Sequence, residues 1–119
     1  MEQNIEGEML TDLLGSLPES IESKTEESII ARENWKKSEF EYEYLFEKTK
    51  LEAKIDGKKH TGDELKSIAV VMCYKQGCKS IELESQFRRK EKELQRLRDE
   101  YLSTQERNYN YRQTMKIIK

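Results

Sequence analysis

Between Glu19 and the C-terminus the chain contains no proline, and apolar residues recur there at steps of three and four with charge filling the gaps. That is the period of a helix, so the pattern predicts an all-α chain built from long helices. The first should run from about residue 27 to residue 55. On it Ala31, Trp35, Ser38, Tyr42, Leu45, Phe46, Thr49 and Ala53 fall on one side, while Ile29, Phe40, Tyr44, Leu51 and Ile55 fall on nearly the opposite side. A surface helix of a monomer needs one apolar face. Two such faces predict an additional helical neighbour, most economically from another subunit.

Further along, Asp56-Gly57-Lys58-Lys59-His60 reads as a turn, with Gly57 suited to ending the first helix. Thr61 followed by Glu64 has the spacing of a capping box that opens a new helix. The most apolar segment, Leu65 to Tyr74, follows, and its unbroken run from Ile68 to Cys73 predicts burial on several sides. Gly77 is a candidate break or bend. Beyond it Leu83, Phe87, Lys90, Leu94, Leu97, Tyr101, Thr104, Asn108, Tyr111 and Met115 alternate steps of four and three, a coiled-coil seam with polar interruptions at Lys90, Thr104 and Asn108. Two long helices joined by a short loop predict an antiparallel helical hairpin with coiled-coil character over residues 28–119. Its oligomer seam is expected to use Leu83, Phe87, Leu94, Leu97 and Tyr101.

Residues 1–27 read differently. Met9, Leu10, Leu13, Leu14 and Leu17 form a short apolar cluster at helical spacing that Pro18 is expected to stop, and Ser20, Ser23, Thr25 and Ser28 among glutamates read as an acidic linker. The cluster is either a docking helix for a groove on another protein, through Leu10, Leu13, Leu14 and Leu17, or a terminal helix packed loosely on its own body. Read as a flexible head, the segment should be removable with helicity and melting nearly intact.

Composition reinforces the assembly argument. The hydrophobic fraction is 34% and the charged fraction 39%, against roughly 45–50% and 25% for an ordinary globular domain. A single small core is then insufficient, and a homo-oligomer is expected. The net charge of −2 hides a split: eight acids against Lys24 alone in residues 1–27 give −7, so the remainder carries +5. The N-terminus lacks a basic region followed by an apolar run, and no stretch is long enough to span a bilayer, so a cytoplasmic location is expected without membrane association. Cys73 and Cys78 are accordingly expected as reduced thiols, and their spacing, with His60 the only histidine, gives no metal motif.

No phosphate loop, nucleophile elbow or acid-base-nucleophile arrangement is readable, so neither an enzyme nor a cofactor is expected. Binding is left. Lys48, Lys50, Lys54, Lys58, Lys59 and Lys66 form one basic group; Arg88, Arg89, Lys90, Lys92, Arg96 and Arg98 form a second, interleaved with acids as in a solvated, ion-paired face. The third, Arg107, Arg112, Lys116 and Lys119, has no acid after Glu106 and carries Tyr109 and Tyr111 among the bases. Cations for phosphates and aromatic faces for unstacked bases are what single-stranded nucleic acid requires, although the same tail also reads as the end of a helix.

A long helix from Trp35-Lys36-Lys37 to Lys54, the loop Gly57-Lys58-Lys59 and the closing Arg112-Gln113-Thr114-Met115-Lys116 together resemble, in layout, small phage-encoded recombination mediators of the UvsY type, over residues of about 28–116. The resemblance implies a ring-like homo-oligomer that binds single-stranded DNA and helps load a recombinase onto strands covered by single-strand-binding protein. It maps the DNA-binding lysines to Lys48, Lys50, Lys54, Lys58 and Lys59. The longer acidic head departs from that pattern and brings protein docking forward. The alternative expectation is a protein-interaction module, a phage-type inhibitor or adaptor, without direct contact to nucleic acid.

Overall fold

The computed structural model describes residues 2–55 and 59–118. Among them the chain is helical throughout its three elements: α1 (Glu2–Ile55), α2 (Gly62–Met72) and α3 (Tyr74–Ile118), with no strand. The predicted turn at Asp56-Gly57-Lys58, and with it the candidate DNA contact Lys58, lies outside the described residues. Thr61 caps α2 as its spacing predicts: the Glu64 backbone N–H donates to Thr61 Oγ1 at 3.2 Å. The Glu64 carboxylate meets His60 instead, with Oε2 3.3 Å from Nδ1.

Two compact units emerge, Met1–Ser28 with Arg89–Lys119, and Ile29–Arg88. This division differs from the expected head at 1–27 and body at 28–119, because the N-terminal segment packs on the end of α3. In that unit the pairing is antiparallel: Lys24 meets Glu93, Glu27 meets Lys90, Glu6 meets Arg107 and Gly7 meets Tyr111. Leu10, Leu17 and Leu94 are its buried apolar residues, with Leu10 only 1% exposed. The helical stop expected at Pro18 is therefore corrected: Pro18 lies inside α1, and residues 20–28 are helix rather than linker. A proline inside a helix removes one hydrogen bond and costs about 3 kcal/mol. The leucines packed on its N-terminal side offset that cost.

The second unit is built the same way. Trp35 stacks on Phe87 with ring centroids 5.5 Å apart, Gln76 Nε2 donates to Ser38 Oγ at 3.3 Å, and Thr49 Oγ1 lies 3.5 Å from Cys73 Sγ, so this part of α1 runs antiparallel to α2 and the start of α3. Two local expectations change. The helix is interrupted at Cys73, where φ −98° and ψ 12° end α2, and α3 then continues unbroken through Gly77. A Cβ at Gly77 would stand 3.1 Å from the Tyr42 ring, which would have to give by a few tenths of an ångström, so glycine leaves that ring room to pack closely. The apolar run 68–73 is not buried on several sides either: Ala69 and Cys73 are buried, while Val70, Val71, Met72 and the following Tyr74 face solvent. One helix packing on one neighbour hides only one stripe.

Candidate functional site

The seam predicted on α3 points inward along its whole length: Leu83, Phe87, Lys90, Leu94, Leu97, Tyr101, Thr104, Asn108, Tyr111 and Met115 are each buried or half-buried. Its packing partner is α1 of the same chain. Residues assigned to an oligomer seam are thus occupied within the protomer. The polar interruptions are satisfied locally, since Thr104, 2% exposed, donates from Oγ1 to the Glu100 carbonyl at 2.7 Å. Lys90 Nζ reaches Glu27 Oε2 at 3.2 Å, and Lys24 Nζ stands 3.1 Å from Glu27 Oε2 and 3.0 Å from Glu93 Oε2.

That four-residue network sets the electrostatics of the first unit. Hydrogen bonds from Lys24 and then Lys90 hold the Glu27 carboxyl below its ordinary range, and Lys24 does the same for Glu93. Hydrogen bonding to Glu93 and Glu27 raises the Lys24 ammonium above its ordinary value. The groups are half-exposed, so the network fixes register between α1 and α3 more than it adds stability.

The predicted docking leucines are also drawn into the protomer. Leu10 and Leu17 are buried and Leu13 and Leu14 half-buried. The predicted nucleic-acid residues divide between the units. In the second, Lys48 pairs with Glu52 at 4.0 Å and Lys50 with Glu47 at 3.5 Å, whereas Lys54 and Lys59 are exposed. In the first, Arg107 stands 3.9 Å from Glu6, and Arg112 borders a shallow groove with Glu8, Asp12 and Tyr111. The acids at 6, 8 and 12 thus run beside the bases at 107 and 112. Antiparallel reading of the two charged ends would have exposed this pairing in the sequence. Tyr111 is half-buried with its ring 3.0 Å from a Cβ built on Gly7, while Tyr109 is 63% exposed and shares an outward face of α3 with Arg112 and Lys116.

A neighbouring groove of about 330 Å³ is lined by Glu6, Arg107, Asn110, Tyr111, Thr114 and Met115. It offers one ion pair and no nucleophile beside a base. Among the described residues no group of three His, Cys, Asp or Glu side chains is arranged to hold a metal, both cysteines are free, and no helix is long and apolar enough to cross a membrane.

Beside the solvent-facing Val70, Val71 and Met72 of α2, a second exposed apolar surface lies on α1 in the second unit. With Trp35 and Ser38 buried on one side, Phe40, Tyr44 and Leu51 on the other are 69%, 61% and 59% exposed, and Ile29 and Ile55 join them. Both faces expected from the sequence exist, one filled by the chain's own helices and one open.

No protein-family model, curated protein or solved structure matches the chain. The reading of function therefore rests on these faces and charges alone.

Proposed function

We propose that the protein is a non-enzymatic helical interaction module that docks another polypeptide through the open face of α1. The observation that carries this reading is the stripe Phe40, Tyr44, Leu51 and Ile55, opposite a face already packed. Exposed apolar surface mixing aromatic with aliphatic residues and rimmed by charge is characteristic of protein-binding patches. The polar rim is supplied by Lys36, Glu41, Glu43 and Lys48 on the same helix, with Glu47 set within the stripe between Tyr44 and Leu51. A photoreactive phenylalanine analogue at position 44 in cells should yield a discrete adduct with a polypeptide, lost on Leu51→Glu. Adducts to nucleic acid, or none, would overturn the reading.

A second reading keeps the accessory role in DNA recombination, with single-stranded DNA as ligand and a recombinase or single-strand-binding protein as partner. Its support is the outward row Tyr109, Arg112 and Lys116, which offers one ring for stacking and two cations for phosphates. The acids beside Arg107 and Arg112 reduce the attraction such a row exerts. Titration of labelled single strands at two salt concentrations tests it: binding should weaken with salt and fall by about 1–3 kcal/mol on Tyr109→Ala. Salt-independent or undetectable binding excludes it.

A further inference from the structure

The open face of α1 carries a heptad register of its own, and the register is complementary to itself. Phe40, Tyr44, Glu47 and Leu51 follow steps of four, three and four, extended by Lys37 before them and Lys54 after. Phe40 and Glu47 then hold d positions, and Tyr44 and Leu51 hold a positions. The flanks are charged in a definite order: Glu41 and Lys48 occupy successive e positions, and Glu43 and Lys50 successive g positions.

In an antiparallel pair of helices a residues lie opposite d residues, e flanks meet e flanks, and g flanks meet g flanks. Applied to two copies of this face, that geometry sets Phe40 against Leu51 and Tyr44 against Glu47 of the second copy. It simultaneously sets Glu41 against Lys48 and Glu43 against Lys50 of the second copy. The two-fold axis repeats every contact, giving four opposite-charge pairs around two apolar layers and two layers in which the Tyr44 hydroxyl can donate to the Glu47 carboxylate. Lys37 meets Lys54 only at the outer ends, where long stems carry the charges to solvent. A parallel pair would stack Glu47 on Glu47 and Lys54 on Lys54 inside the seam, so the antiparallel arrangement wins on charge.

We propose that the occupant of this face is a second copy of the chain, docked antiparallel along residues 37–54 about a two-fold axis near Leu45 and Phe46. The proposal rests on the interaction-module reading and supplies its partner. The contact is about 25 Å long at the helical rise per residue. Phe40, Tyr44, Glu47 and Leu51 are exposed in the protomer and Glu41 and Lys50 are half-buried, so forming it requires no unfolding of α1, only the release of Lys50 from Glu47 and of Lys48 from Glu52.

Charge exchange tests the arrangement on the full chain. The double variant Glu41→Lys, Glu43→Lys places like charges in all four pairs, as does Lys48→Glu, Lys50→Glu. Each alone should associate about tenfold or more weakly than the wild type by sedimentation equilibrium, with unchanged circular dichroism. An equimolar mixture should recover association as a heterodimer, because every pair is then opposite in sign. Orientation is read by mixing Tyr44→Cys chains with Glu47→Cys chains in a Cys73→Ser, Cys78→Ser background, where oxidation should join the two kinds of chain. Failure of the mixture to recover, or crosslinks only between identical chains, overturns the antiparallel pair. A purified wild type that sediments as a monomer at high micromolar concentration overturns the second copy altogether. Should the adduct at position 44 persist in cells with a different polypeptide, the interaction-module reading stands while this inference falls.

Discussion

Leu10→Ala tests whether the acidic N-terminal segment is part of the folded structure. Leu10 is 1% exposed and is the largest fully buried side chain among the described residues, although it lies in a stretch dominated by glutamate. Truncating a leucine buried to this degree removes its transfer free energy and leaves a cavity between two helices that relax only in part, a loss of about 2–5 kcal/mol. Domains of this size have a total stability of about 5–15 kcal/mol, so the loss is large. A destabilisation of about 3 kcal/mol lowers the melting temperature by about 10 °C. The control is Met9→Ala, one residue away but 57% exposed, which should change stability by under about 0.5 kcal/mol. Because the chain has two compact units, the measurement should be amide hydrogen exchange as well as thermal circular dichroism. Exchange should accelerate in residues 5–28 and 89–117 more than elsewhere. Equal behaviour of the Leu10 and Met9 variants would refute the packing of this segment, and so would a deletion of residues 1–27 that leaves melting unchanged.

Phe87→Ala removes the buried ring stacked on Trp35 and should destabilise the second unit by about 3–5 kcal/mol, read as faster exchange in residues 29–55. Gly15→Ala, with no atom within 4 Å of the new Cβ, should stabilise by about 0.8–1.0 kcal/mol in urea unfolding. Gly77→Leu should instead destabilise by about 1–3 kcal/mol because the Tyr42 ring stands 3.1 Å from the Cβ position. Glu27 and Glu93 titrate below the ordinary carboxylate value of 4.5 when folded, so their contribution is present above that value and is lost as pH falls through the lowered one. Lys24, raised above 10.5, contributes below that value and loses its contribution as pH rises through the raised one. Lys24→Met should therefore flatten the acid limb of the stability profile, and an unchanged limb would contradict the network.

The helical periods were legible in the chain, and so was the inward face of α3, because every seam residue from Leu83 to Met115 obeys a spacing that only a helix satisfies. The cap at Thr61 was legible for the same reason: its signal is local. What escaped depends on distant partners. Pro18 reads as a stop until Leu10 and Leu17 are seen packed within the unit that pairs α1 with the end of α3, and Gly77 reads as a break until the Tyr42 ring is found beside it. That Glu6, Glu8 and Asp12 run beside the basic end of α3 is likewise set by pairing between segments far apart in the chain. The second apolar face of α1 was visible as a pattern, but only the packed position of Trp35 and Ser38 shows which face stays open.

Hydroxyl-radical footprinting of the full chain, at low and high protein concentration and with and without single-stranded DNA, tests the central claim most directly. Phe40, Tyr44 and Leu51 should lose reactivity as concentration rises, with Tyr109 unaffected and DNA without influence. Constant reactivity of Tyr44 together with protection of Tyr109 by single-stranded DNA would contradict the account and place function on the outward face of α3.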